Sequence, residues 1–223
     1  GEAFSFDGSG QYISLGAPDG LNAEPQYSPV PPGWPAPTNA NARYSFSVSA
    51  WVRPLAIDGC RNILAHGYRL SPDAELVLRI NNGRYEYHSW KGAAGEVLVS
   101  SAVPSGDVGS WVHLVGVFDG VSWSLYRNGS LAARLESDFP PPVSDAAWVI
   151  GAASNGNERF FKGDIDDLCL WNRALSADEV ARIWRAGTDN IGAASLLDGF
   201  DRLWTASHPS GTPSVSAVQA VRV

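Results

Sequence analysis

The sequence predicts an all-β, two-sheet antiparallel sandwich with one short helix near its C-terminal end. Three observations predict it. Apolar residues recur with period two over short runs, each run closes on Gly, Pro, Asn or Asp, and a single stretch has helical spacing.

The elements follow in chain order. Phe4-Ser5-Phe6 and Tyr12 to Leu15 open the set as short strands. Residues 17–43 carry seven prolines and Trp34 with little periodicity, which reads as a surface insertion. From Phe46 to Arg53, Phe46, Val48, Ala50 and Val52 share one face while Ser47, Ser49, Trp51 and Arg53 share the other. Pro54 ends that run, since it has no N–H for a ladder. Glu75 to Ile80 and Arg84 to Trp90 are joined by Asn81-Asn82-Gly83, and Asn and Gly tolerate the positive φ of a tight hairpin. Trp111 to Phe118 and Val121 to Arg127 flank Asp119-Gly120, Asn128-Gly129 turns into Leu131 to Leu135, and Trp148 to Ala152 and Ile165 to Trp171 complete the strands. Ser176 followed at the third position by Glu179 is a capping box, after which Val180, Ile183 and Trp184 recur at helical spacing until Gly187. Residues 3–187 thus form the sandwich, and 188–223 are an extension that either packs on it or leads to another domain.

Composition narrows the function classes. With 44% hydrophobic and 17% charged residues among 223, the chain can bury a core. Its net charge of −7, with no basic stripe, argues against nucleic acid and an anionic membrane surface. No apolar run is long enough to span a bilayer, so membrane insertion is not expected. An opening Gly1 in place of Met reads as a processed or excised segment. Cys60 and Cys169 leave two readings open, one bridge closing a long loop or two separate small hydrophobes.

Four segments are similar to one family. Phe6-Asp7-Gly8-Ser9-Gly10-Gln11-Tyr12-Ile13, Phe46 to Pro54, Trp111-Val112-His113 through Asn128-Gly129, and Gly163-Asp164-Ile165-Asp166-Asp167 through Leu175-Ser176 resemble, in order, the motifs of laminin-G-like jelly rolls of the concanavalin A-like superfamily. The resemblance covers roughly residues 3–187 without the proline-rich insertion. It implies a jelly-roll sandwich found in secreted and cell-surface proteins, and it implies little about function, since this fold hosts lectins, adhesion modules and glycosidases alike. Asn128-Gly129-Ser130 fits a glycosylation acceptor, but in the family the pair is simply a turn.

Three constellations carry chemistry. Asp164, Asp166 and Asp167 repel one another unless a cation relieves them. The resemblance places a structural Ca²⁺ between Asp166 and carbonyls of the N-terminal strand, with Asp7 and Asp164 as further candidate ligands, against the plainer reading of a solvated acidic turn. Glycosidases of this fold carry Glu-x-Asp-x-Glu on one strand, aiming an acid and a nucleophile at one bond, and no such strand exists here. His66, His88, His113 and His208 are scattered, and His113 reads as a half-buried structural histidine with its hydrogen bonds made. The chain is therefore expected to bind and not to catalyse.

The binding surface is expected on Arg84 to Trp90. Both faces of that strand carry large amphipathic groups, and aromatic rings beside charged groups suit sugars, whose CH faces stack while their hydroxyls hydrogen-bond. Tyr87, His88 and Trp90, with Tyr68, Arg69, Asn155, Asn157 and Arg159 from nearby loops, are the candidate contacts. The expected partner is a glycan or polysaccharide. A protein partner docking on Trp34 and Leu196 to Trp204 is the alternative, and a hydrolase with an unrecognised acid pair is the third.

Overall fold

Period-two alternation becomes two stacked antiparallel sheets. The computed structural model describes residues 3–16, 45–68, 74–142, 144–171, 173–189 and 204–206. Sheet I has the order β1 (Phe4–Asp7), β12 (Lys162–Trp171), β3 (Phe46–Pro54), β8 (Val112–Phe118), β9 (Ser122–Arg127), β10 (Ser130–Glu136). A short β13 (Trp204–Ala206), from the C-terminal extension, pairs with residues 168–170 of β12. Sheet II has the order β2 (Ile13–Gly16), β11 (Trp148–Ile150), β4 (Cys60–Gly67), β5 (Glu75–Asn81), β6 (Arg84–Trp90), β7 (Glu96–Ala102). One helix, α1 (Ala177–Thr188), follows β12.

The core lies between the sheets. Val48, Ala50 and Val52 of β3 and Leu76, Leu78 and Ile80 of β5 share one buried cluster with Trp123, Phe118 and Phe161. The asparagine–glycine turns form where expected: Asn82 and Asn128 hold φ of 45° and 48°, each followed by a glycine with positive φ. Asn128 Oδ1 accepts from the His113 N–H at 2.9 Å, so this asparagine serves the hairpin. Two strands, β4 and β7, escape the sequence reading. In β4 a bulge between Asn62 and Leu64 breaks the alternation, and Asn62 to Gly67 are buried without a polar face. In β7 only Val97 and Val99 point inward.

The helix closes the outer face of sheet I. Ser176 Oγ accepts from the Glu179 N–H, and Glu179 returns the bond to the Ser176 N–H, completing the capping box. Val180 and Ile183 then pack on Val115, Val117, Tyr126, Cys169 and Trp171. Ser47 ties the helix entry to β3, donating to the Arg173 carbonyl and accepting from the Leu175 N–H. Cys60 and Cys169 are not joined to each other: Cys60 opens β4 in sheet II, and Cys169 is buried under α1.

His113 departs from expectation. It is wholly buried beside Trp51, ring centroids 5.2 Å apart, and neither ring nitrogen has a hydrogen-bond partner. Burial holds its pKa down at about 3. His66, stacked 4.3 Å from Trp148, is likewise held at about 4 by burial.

Candidate functional site

The outer face of sheet II carries buried charges where sheet I carries an apolar helix contact. Strand register sets its composition. Glu75, Val77, Arg79 and Asn81 of β5 stand opposite Trp90, His88, Glu86 and Arg84 of β6, which in turn stand opposite Glu96, Leu98, Ser100 and Ala102 of β7. Arg79 donates to Glu86 at 2.7 Å with both side chains nearly inaccessible, and Asn81 adds bonds to the same carboxylate. His88 Nε2 lies 3.0 Å from Glu96, an exposed carboxylate, while His88 Nδ1 is buried without a partner. Burial, then the charge of Arg79, lowers the His88 pKa, with Glu96 opposing them.

The loop between β11 and β12 folds over this face. Its backbone is pinned by Asn62 N–H to the Arg159 carbonyl (2.8 Å) and by Gly151 N–H to the Ile63 carbonyl (3.0 Å). From it Arg159 reaches Glu75, its Nη1 bonding both carboxylate oxygens at 2.9 and 3.0 Å, with Glu75 only 3% exposed. The Arg159 guanidinium also lies 4.2 Å from the centre of the Tyr68 ring, whose hydroxyl donates to Glu158. Tyr68 and Arg159 both hold left-handed backbone, with φ of 70° and 58°. Bulky residues pay for that conformation and keep it where the surroundings over-determine it. Farther along, the exposed Tyr12 ring rests on Gly156, where a Cβ would come within 2.6 Å of it; Asn155 and Asn157 stand exposed on either side of that glycine.

The structure brings Tyr68, His88, Trp90 and Arg159 to one side of sheet II, with Asn155 on the same loop. Tyr68 and His88 are buried at 7% exposure each, so they support the face, while Trp90, Arg159 and Asn155 reach its surface. Arg69 lies outside the described residues, as do Trp34 and residues 196–203. Tyr87 is a correction. It is fully buried on the inner face of β6, 4.8 Å from Trp123, and its ring fills the space above Gly116. Burial pushes its hydroxyl pKa far up, and the tyrosine belongs to the core. Glu75 and Tyr12 were missed. Tyr12 was read as a strand residue, and nothing local marks Glu75, whose partner is 84 positions away.

The three aspartates do not converge on one point. Asp164 is buried and already neutralised: Oδ2 accepts from Arg53 Nε and Nη2, both at 2.6 Å, and Oδ1 from Ser5 Oγ. Asp7 folds back on the Ser9 N–H, and Asp166 Oδ1 accepts from the Asp167 N–H at a bulge where Asp167 has φ of 44°. Register puts Asp7 opposite Lys162, four residues along β12 from Asp166, or about 13 Å at strand rise. Among the described residues, no three acidic, histidine or cysteine side chains converge as metal ligands.

Fold and site together define a β-sandwich with a polar, loop-flanked sheet face. The chain belongs to the concanavalin A-like lectin/glucanases superfamily, whose laminin G-type profile matches residues 31–181. Solved structures of the same fold include a putative carbohydrate binding protein from Bacteroides ovatus (18% identity, TM-score 0.50, covering 62% of this chain and 40% of that one). Others are the CBM40 of the Ruminococcus gnavus IT-sialidase, bound to α2,6-sialyllactose (15%, 0.52, 62% and 82%), and the receptor binding domain of the botulinum neurotoxin C/D mosaic serotype (14%, 0.52, 66% and 37%). The chain thus spans less than half of two of these three proteins. No curated protein sequence matches it significantly.

Proposed function

We propose that this chain is a non-catalytic carbohydrate-binding module of a secreted or cell-surface protein, with its ligand on the outer face of sheet II. The observation that carries this is the Tyr68–Arg159 pair: two bulky residues in left-handed backbone, stacked on each other and anchored by buried Glu75 and by Glu158. Such an arrangement rigidifies the loop that carries the exposed Asn155 and Asn157, which lowers the ordering cost of binding. Trp90, half-buried opposite Glu75, and exposed Tyr12 supply ring faces for sugar CH groups. The fold shared with carbohydrate-binding modules fits this reading.

Catalysis has no support in this geometry. Glu75 and Glu96 flank Trp90 in one row, about 9.6 Å apart by two interstrand spacings. Most glycoside hydrolysis uses two available carboxyl groups. Both oxygens of Glu75 are held by Arg159. The test is a glycan array with the unmodified chain and Trp90→Ala. Binding should appear and fall by roughly threefold to tenfold in the variant, since one stacked aromatic is worth about 0.5–1.5 kcal/mol beyond its buried area. Absence of binding to every glycan, with clean self-association or capture of a protein ligand, would overturn the proposal.

A further inference from the structure

We infer that the ligand of this face is an uncharged glycan and that anionic sugars are rejected there; this rests on the carbohydrate-binding reading above. The argument is one of charge left over after pairing. Arg159 gives its Nη1 to both oxygens of buried Glu75, and Arg79 gives its Nε to buried Glu86. Each of these two guanidinium groups thus already faces a full opposite charge at hydrogen-bond distance. A ligand carboxylate or sulfate would have to displace a buried carboxylate, leaving that group uncompensated in a poorly solvated site. The remaining charges nearby are acidic. Glu96 is exposed beside Trp90, and Glu158 is exposed on the loop, accepting from the neutral Tyr68 hydroxyl and, through its carbonyl, from the Ala153 N–H.

The other cations among the described residues are placed elsewhere, Arg69 lying outside those residues. Arg84 is spent on Ser100 and lies six residues along β6 from Trp90, about 20 Å at strand rise. Lys91 falls on the opposite side of β6 and sits 5.2 Å over the Phe139 ring. His88 is kept neutral at ordinary pH by its burial and by Arg79. What the face offers is carboxylate and amide acceptors, a few N–H donors, and ring faces, the complement of sugar hydroxyls and CH groups. A net charge of −7 on the whole chain adds long-range repulsion to any polyanion.

The test is affinity electrophoresis or calorimetry with the full chain. Neutral probes are mannan, xylan, arabinan and galactan; anionic probes are polygalacturonate, chondroitin sulfate and sialyllactose. At least one neutral probe should bind, with Kd changing less than about twofold between 50 and 500 mM NaCl, because no ligand charge is there to be screened. The anionic probes should bind at least about tenfold more weakly. Glu75→Gln, which frees the Arg159 charge, should raise binding of polygalacturonate several-fold; if that variant does not fold, Glu96→Gln with Glu158→Gln should do the same by removing exposed repulsion. Tight, salt-sensitive binding of an anionic probe by the unmodified chain overturns the inference while leaving carbohydrate binding intact. Binding of none of the seven overturns both.

Discussion

The two sheets close their outer faces by opposite means. Sheet I buries Val115, Val117, Tyr126 and Trp171 under Val180 and Ile183 of a capped amphipathic helix. Sheet II buries Glu75, Arg79, Glu86 and His88, and seals them with the cross-strand Arg79–Glu86 ion pair, the His88–Glu96 hydrogen bond and the Arg159–Glu75 pair from one polar loop. Removing apolar area from water stabilises at about 25 cal/mol per Å², so the first face is a source of stability. A buried ion pair returns little net stability once desolvation is counted. The second face is therefore poorly explained as reinforcement, which is why the proposed ligand is placed there.

The largest expected effect breaks the apolar face. Trp171→Ala removes a fully buried indole from beneath α1 and should cost about 3–5 kcal/mol in urea unfolding. Ligand affinity of the fraction that folds should not change, because the lesion lies on the other sheet. A loss under about 1 kcal/mol would mean that α1 contributes little to the sandwich.

A second pair of variants sharpens the contrast. Glu86→Leu alone leaves Arg79 buried without its carboxylate and should cost about 3 kcal/mol. Arg79→Leu combined with Glu86→Leu should return to within about 1 kcal/mol of the parent, because well-packed apolar residues replace such a pair at little cost. If the double variant is as unstable as the single one, the ion pair is structural and the distinction between the faces fails.

How much of this was legible in the sequence depends on the range of the interaction. Alternation, asparagine–glycine turns and the Ser176–Glu179 box act over a few residues, so the strands, hairpins and helix could be read directly. The bulge at Asn62 shifts that alternation by one residue, and β4 disappeared with it. Site residues depend on partners far away in sequence. Asp164 read as a cation ligand because Arg53, 111 positions earlier, is invisible to local pattern. Glu75 gave no signal because its cation is Arg159. Tyr87 misled for another reason: a tyrosine hydroxyl marks a polar surface in most strands, yet here it is buried without a hydrogen-bond partner. That Tyr68 and Arg159 lie on the same face as His88 and Trp90 follows from the crowding of aromatic and charged residues that the sequence already shows, while their pairing with Glu158 and Glu75 does not.

The smallest effect tests a polar seam within the apolar face. His113 lies on sheet I next to Trp51, whose indole in turn covers Gly187 of α1. Its folded pKa of about 3 is below the 6.5 of an exposed histidine, so between those values the unfolded chain binds a proton that the folded one refuses. Stability contributed by the neutral ring is complete above pH 6.5 and is lost as pH falls, with a slope of up to about 1.4 kcal/mol per pH unit. His113→Leu keeps the apolar packing and removes this titration. Urea unfolding at pH 7, 6, 5 and 4 should show the parent losing stability more steeply than the variant by nearly one proton's worth. Parallel curves would mean that water or a rearranged ring already solvates His113 in the folded protein, and the outer face of sheet I would then be less dry than its apolar lining implies.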